Sequence, residues 1–474
     1  METDLLEIKK EKIKLFQENG LYDYPPQLLK ERQPIDKVLI NFQEKKEVVL
    51  AGRLMAKRLH GKAIFYDLED FSSKMQVYIK EDIVGKELFS LIKDFDIGDI
   101  VLFKGELFKT KTQQPTLNVK EVFLLSKNLR SLPEKWHGLK DIEIRYRQRY
   151  LDIISNKEVK ELFIIRSRLI KEIRNFLDSL GFIEVETPMM QPIPGGARGR
   201  PFKTYHNEYG LELYLRIAPE LYLKKLLVAG FEKIYELNRS FRNEGISTKH
   251  NPEFTMLEVY SAYSDYRDMM ELVKNLIIHL AKKLLGKDKI VYQKKEIDLN
   301  RWQEVSFSQL LEERYGIKPQ DSLDTWIKKL KDKGIKVLDN LSRSFIINLI
   351  ADLIEPESMH PVFVTDLYTV LCPLAKRKKE NPLLSERFEL FIGGIEVANA
   401  YSELNDPIEQ RQRFEEELNI LAEGVKIIDE DFLLSLEYGM PPAGGLGIGI
   451  DRLAMIFLDQ ASIKDVILFP LLKP

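Results

Sequence analysis

The sequence predicts an α+β protein in which a small all-β barrel precedes a larger mixed domain. Three observations point there. Short β-rich runs separated by charged turns fill the stretch from about residue 47 to 125. From about 158 to the end, helical periodicity alternates with strand-like runs. The chain of 474 residues has room for two or three domains at roughly 100–200 residues each.

Composition narrows the class without deciding function. With 44% hydrophobic residues and a formal net charge of −2, the chain reads as an ordinary globular protein. It does not read as a nonspecific polyanion binder, although a local basic surface would suffice for RNA. No apolar run approaches the ~18 residues that span a bilayer, so no membrane partner is expected. Met1-Glu2-Thr3-Asp4 leads into Lys9, Lys10, Lys12 and Lys14 without an apolar core, unlike a signal or transit peptide. The single cysteine, Cys372, excludes an intramolecular disulfide framework, suits a reducing cytoplasm and reads as a buried structural thiol.

Taken in order, residues 1–45 read as a charged helix followed by a linker holding Pro25, Pro26 and Pro34. Residues 46–145 hold the barrel, with strands expected in Val48–Arg53, Ala63–Leu68, Met75–Ile79 and Ile100–Gly105. Arg53, Lys57, Arg58, His60 and Lys62 precede any acid before Asp67. Taken in isolation, such a hairpin reads first as a solvated face. A basic barrel that also exposes Phe65, Tyr66 and Gln76 would suit single-stranded RNA, with cations on phosphate, rings on bases and an amide on a base edge. The larger domain is expected over 146–474, with a helical insertion at about 282–360.

Three segments of the larger domain stand out. The spacing Ile165, Leu169, Ile173, Leu177 predicts an amphipathic helix stopped at Gly181, then a strand ending in Pro188. The run Ile234–Glu244 reads as a strand, joined by the polar loop 245–252 to the β-rich Glu253–Tyr260. On pleated strands Arg242 and Glu244 share a face, as do Phe254, Glu258 and Tyr260. Buried without partners such groups are unfavourable; as a set they suit an anionic, partly aromatic ligand. In Gly444–Leu453, Gly445, Gly447 and Gly449 permit close backbone approach and Asp451-Arg452 opens a helix. No P-loop lysine follows, and the spacing is wrong for a dinucleotide fingerprint.

The order and content of these segments resemble the three signature motifs of class II aminoacyl-tRNA synthetases. Ile193–Ala197, Leu215–Lys224, Phe241–Ser247, His250–Thr255 and Asn399–Asp406 narrow the resemblance to the lysyl-tRNA synthetase family, from about residue 45 onward. Tyr368–Pro373 and the loop Lys111–Pro115 depart from its pattern. The resemblance implies an OB-fold anticodon-binding barrel and a class II catalytic domain with a mostly antiparallel six- to seven-stranded sheet flanked by helices. It implies ATP-dependent activation of L-lysine, transfer of the lysyl group to lysine tRNA, and a homodimer.

Residue by residue, the resemblance assigns Arg242 to the ATP α-phosphate and the lysine carboxylate, and Glu244 to the adenine amino group. Phe254 and Arg452 would sandwich the adenine, with His250 near the outer phosphates and Asn251 also binding ATP. Gly196 and Glu220 would hold the α-amino group of lysine, and Glu258, Tyr260 and Glu403 its ε-ammonium. Asn399 would hold the substrate carboxylate, with Tyr401 beside it. Arg53, Arg58, Phe65 and Gln76 would contact the anticodon. An aspartate- or asparagine-specific relative would need a cationic or amide-reading pocket where this chain offers Glu258 and Glu403. A lysine ligase acting on protein would lack the barrel, and a pure RNA-binding protein would leave the second and third motifs without a purpose. Lys376–Lys379 reads equally as a tRNA contact or a solvated loop.

Glu389 and Glu396 lie on a hairpin whose turn is Gly393-Gly394. Strict alternation sets Phe391 opposite Glu396 and Glu389 opposite Ala398, so both acids share a face about 7–8 Å apart as diagonal neighbours. Two unconnected surface acids would satisfy that spacing; the resemblance assigns the pair to Mg²⁺ beside ATP. The same alternation turns Asn399 and Glu403 to the opposite face. One pocket served by both sets requires a β-bulge between Glu396 and Asn399.

Overall fold

The computed structural model describes residues 2–133, 139, 141–197, 199–337, 346, 349–351, 353, 356, 358–420 and 427–473. The chain folds as two compact units, Met1–Lys140 and Asp141–Pro474.

In the first unit, β1 (Glu47–His60), β2 (Ala63–Glu69), β3 (Lys74–Lys80), β4 (Ile100–Lys109) and β5 (Pro115–Ser126) close into a barrel of order β1-β2-β3-β5-β4. The fifth strand is additional to the four expected runs. The expected proline linker is also more ordered than its composition suggests. Prolines are tolerated where a helix begins, and helices Pro26–Glu31 and Ile35–Ile40 start at Pro26 and just after Pro34. Ile35 and Val38 join the barrel core together with Phe16 from the first helix, Glu2–Glu18.

Tyr66 corrects the expectation of an exposed ring. Adjacent strand residues face opposite sides, so with Phe65 outward Tyr66 points inward. It is fully buried and its hydroxyl donates to the Ile92 carbonyl at 2.7 Å.

In the second unit an eight-stranded sheet runs β14-β15-β16-β17-β18-β11-β10-β6. Its strands are β6 (Ile183–Glu184), β10 (Lys233–Phe241), β11 (Glu253–Ala262), β14 (Gln303–Ser306), β15 (Val362–Thr365), β16 (Arg387–Ile392), β17 (Ile395–Ser402) and β18 (Ala443–Gly449). Only the edge strands β6 and β14 pair in parallel. A separate three-stranded sheet joins β7 (Met190–Gln191), β9 (Leu211–Leu215) and β8 (Lys203–His206). One face of the main sheet presents Leu257, Val259, Phe388, Leu390, Ala400 and Ile448 to the helices Lys157–Ser179, Tyr266–Leu285 and Ile450–Phe457. The other face carries the polar groups.

Leu169, Ile173 and Leu177 of the first of these helices are fully buried, Ile165 only partly. The strand expected up to Pro188 is shorter. After Val185 N–H donates to the Tyr235 carbonyl, Thr187 leaves the ladder and its hydroxyl donates to Glu236 at 2.7 Å. Nor is 282–360 purely helical. It holds the hairpin β12 (Lys289–Tyr292) and β13 (Lys295–Asp298) and strand β14 as well as helices Phe307–Tyr315 and Leu323–Asp332; parts of it lie outside the described residues.

The barrel carries a buried ion pair. Lys127 and Asp99, both wholly inaccessible through their side chains, sit 2.9 Å apart. Removing one partner strands the other. Lys127→Met is therefore expected to destabilise the first unit by about 3–5 kcal/mol, seen as an earlier transition in urea unfolding followed by circular dichroism.

Candidate functional site

The site is built around a strand with nothing on one face. β18 lies between β11 and β17, and Gly445 pairs with Tyr260 and Tyr401, Gly447 with Glu258 and Asn399, and Gly449 with Met256. Glycine at every second position empties the polar face of the strand. A Cβ at Gly445 would fall on the Glu403 carboxylate and 2.7 Å from the Tyr260 ring. The result is a trench walled by Phe254, Glu258 and Tyr260 on one side and by Glu396, Asn399 and Tyr401 on the other.

That second wall depends on a bulge. Phe391 pairs with Glu396, but Leu390 pairs with Ala398 and Glu389 with Asn399. Val397 is the extra residue. The bulge lies between Glu396 and Asn399, as the two-face conflict required. Glu389 is accordingly opposite Asn399 and not Ala398 as strict alternation would have it. Past the bulge Asn399 and Tyr401 return to the face of Glu396, with Ala398 and Ala400 buried behind.

One end of the trench is acidic. Glu220, Glu258 and Glu403 are at most 4% exposed. Glu220 comes from the helix Glu220–Val228; it accepts from the Tyr401 hydroxyl at 2.6 Å, and Glu258 accepts from the Tyr260 hydroxyl at 3.0 Å. Burial, with Glu220 nearby, pushes the Glu258 carboxyl up to about 8. Burial raises Glu403 well above the usual carboxylate range even though Lys224 opposes the shift. Both tyrosines stay protonated, their pKa values raised by burial and by the acids around them. Gly196, at φ 82°, abuts Glu220: a Cβ there would lie 2.9 Å from its Cβ. Lys224, one turn along the helix from Glu220, was not among the expected residues. A lysine at this spacing reads in sequence as a solvated helix side chain.

The other end is cationic. The strand expected to reach Glu244 stops at Phe241, so Arg242 and Glu244 stand in the loop beyond it. Arg242 lies over the Phe254 ring at 5.1 Å, and burial pulls its pKa down. Its Nε and the Asn399 Oδ1 are buried without a hydrogen-bond partner among the described residues. Arg452, at the start of helix Ile450–Phe457, donates to the Glu396 carboxylate at 3.0 Å and its carbonyl at 2.9 Å, and contacts His250 at 3.0 Å. Asp451 anchors that helix start by accepting from Thr255 N–H at 2.8 Å and from Arg166. Asn251 is buried; its Nδ2 donates to the Glu253 carbonyl at 2.6 Å, and its Oδ1 has no hydrogen-bond partner among the described residues. Glu244 is exposed and Glu389 accepts from Arg387 at 2.8 Å. Among the described residues no group of three or more His, Cys, Asp or Glu side chains could hold a metal by itself.

On the barrel, Phe65 packs on Tyr78 with ring centres 4.9 Å apart, and His60 and Phe108 extend the aromatic row. Tyr78 and Phe108 were missed. The cross-strand register that joins them to Phe65 exists only once the barrel closes. Arg58 pairs with Asp67 at 2.9 Å and Gln76 accepts from Thr116 at 3.1 Å. Arg53 is committed elsewhere: it pairs opposite Glu69, away from Phe65, and donates to the Gly98 carbonyl at 2.8 Å. In the basic run, Arg377 pairs with Glu409 and Lys378 with Asp366. Cys372 is buried and accepts from Arg387.

Residues 141–473 match the family described as tRNA synthetases class II (D, K and N), and residues 48–125 match the OB-fold nucleic acid binding domain. The lysine–tRNA ligase of Carboxydothermus hydrogenoformans is 51% identical over 100% of this chain and 98% of its own length. That of Moorella thermoacetica is 49% identical over the same shares, and that of Thermotoga maritima 48% over 99% and 97%. The chain belongs to the class II lysine–tRNA ligases.

In this enzyme the OB-fold is the closed five-stranded barrel, and the family's second and third motifs supply one wall and the floor of the trench, β10–β11 and β18 with its helix. No helix among the described residues is long and apolar enough to cross a membrane. The glycine row makes a direct demand on activity. Gly445→Ala should leave the circular dichroism spectrum intact yet lower tRNA charging by ~10²-fold, the penalty of displacing binding groups by about 1 Å.

Proposed function

We propose that the enzyme activates L-lysine with ATP at the trench and transfers the lysyl group to the 3′ end of lysine tRNA. The observation that carries this reading is the acidic end: three buried carboxylates against one internal ammonium. Such a pocket is short of cations and suits a substrate with two ammonium groups. Glu220, with the Gly196 backbone, takes the α-ammonium; Glu258, Tyr260 and Glu403 take the ε-ammonium; Tyr401 orients Glu220. Arg242 and Asn399 meet the substrate carboxylate, supported by their unpartnered buried atoms. Arg242 also neutralises the α-phosphate as that carboxylate attacks it and pyrophosphate leaves. Phe254 and Arg452 hold the adenine, Glu244 its amino group, and His250 with Asn251 the outer phosphates. No covalent enzyme intermediate is needed; positioning and charge suffice.

Glu389 and Glu396 fit Mg²⁺. They share a face beside the arginine end, and Mg²⁺ takes one or two carboxylates with phosphate oxygens completing its shell. Bound there, the ion would neutralise phosphate charge. On the barrel, Phe65 with Gln76 and Arg58 form the anticodon surface; Arg53 would have to leave the Gly98 carbonyl to join them. A homodimer is supported by exposed Ile183, Met189 and Met190 on the first-motif segment, 53%, 44% and 54% accessible, an apolar patch that a two-fold partner would cover. The cytoplasm is the compartment where these substrates meet and Cys372 stays reduced.

The decisive assay is ATP–pyrophosphate exchange across the twenty amino acids, followed by charging of bulk tRNA. Lysine alone should support both; exchange driven by another amino acid would refute the reading. The pH dependence follows from Glu258. Below about pH 8 the free pocket holds a proton there that an ammonium ligand must displace, so the complex binds fewer protons than the free enzyme. Lysine affinity should therefore rise with pH from 6 to 8, by up to about tenfold per unit for one proton, and level off above. Calorimetry in buffers of different ionisation enthalpy should register proton release at pH 7. For the barrel, Phe65→Ala should weaken tRNA binding by about 1–3 kcal/mol and leave exchange unchanged; equal loss in both would make Phe65 a folding residue.

A further inference from the structure

Lys224 enters the scheme above only as a count of charge, yet its ammonium is as enclosed as the Glu403 carboxylate it faces. Its side chain is wholly inaccessible, 2.8 Å from Glu220 and 2.5 Å from Glu403, with the Tyr401 ring centre 5.5 Å away. The i,i+4 spacing on helix Glu220–Val228 brings Glu220 beneath it. Burial works against its charge, but Glu220 and Glu403 outweigh that and raise its pKa. Arg216, another buried cation, is consumed by Glu236 at 2.6 Å. With all three acids ionised, as bound ammonium groups would leave them, three carboxylates less one ammonium leave a deficit of two charges. Close as both contacts are, neither Lys224 Nζ nor either Glu403 oxygen completes a hydrogen bond among the described residues. Lys224 therefore offsets the charge of Glu403 without filling its acceptor sites.

We propose that Lys224 is a built-in third ammonium that holds Glu220 and Glu403 in place and fixes the pocket's deficit at two charges, matching a diammonium substrate. The inference rests on the lysine reading and adds a positioning and specificity residue to it. An amino acid with a single ammonium leaves one buried carboxylate unpaired, and a buried polar group without its partner is what makes such discrimination steep.

The test is a charge-balance cycle in the exchange assay using Lys224→Met, Glu403→Gln and the double variant. Lys224→Met raises the deficit to three and should raise KM for lysine about tenfold or more while KM for ATP holds. The double variant returns the deficit to two and should recover most of that loss. In Lys224→Ala, propylammonium replaces the missing atoms and should restore activity saturably, whereas propanol should not. An unchanged lysine KM in Lys224→Met, a double variant no better than Lys224→Met, or equal rescue by propanol overturns the proposal. Should Lys224→Met fail to fold by circular dichroism, the double variant, which buries fewer unpaired charges, still decides. A lysine KM within a few-fold of wild type supports the proposal, and a loss as large as that of Glu403→Gln alone overturns it. A wild-type enzyme that ignores lysine would sink the lysine reading itself; a lysine-specific enzyme indifferent to Lys224 sinks only this inference.

Discussion

Everything at the site depends on the absence of side chains along one face of β18. A sheet face is ordinarily filled by the residues of its central strands, and a ligand can then bind only above them. Here Gly445, Gly447 and Gly449 lower the floor to the backbone between two strands that carry charged groups. The carboxylates of β11 and β17 can then face a common space without being packed against one another. The apolar face of the same strand, with Leu446 and Ile448 buried against the helices, keeps that floor rigid. Helix Ile450–Phe457 begins directly where the floor ends, so Arg452 is delivered to the trench mouth by the strand that clears it.

The trench is polarised along its length. Acids gather at the Tyr260 end and arginines at the Phe254 end, so the two ends present opposite charge. Desolvation strengthens both halves. Burial raises Glu258 and pulls Arg242 down, each toward its neutral form. Arg452 and Glu396 are already paired, and Asp451 fixes the backbone from which Arg452 extends.

Much of this was legible in the sequence, for reasons that can be named. Alternate glycines, the Asp451-Arg452 helix start and the face shared by Phe254, Glu258 and Tyr260 are consequences of local periodicity. Even the bulge could be inferred, because Glu396 and Asn399 had incompatible parities for one pocket. What escaped depended on contacts between distant segments. Tyr66 looked like its neighbour Phe65, and only strand alternation against a closed core separates them. Tyr78 and Phe108 gained meaning from barrel register. Arg53 reads as a free cation until the Gly98 carbonyl is brought to it. Lys224 resembles any helix lysine because its carboxylate partner Glu403 is far away in sequence. The short β6 reflects Thr187 bonding Glu236, a side-chain choice that no propensity scale contains.

The bulge at Val397 also sets what kinds of change β17 can absorb over generations. Substitutions on either face are local events. A gain or loss of one residue between Glu396 and Glu403 is not, because the side-chain period of two exchanges the faces wholesale. Ala398 and Ala400 would turn to the trench, and Asn399 and Tyr401 into the apolar layer against the helices. The segment is therefore free in composition, within chemical limits, but fixed in length. Its reading frame is a structural element in its own right, held by a single valine.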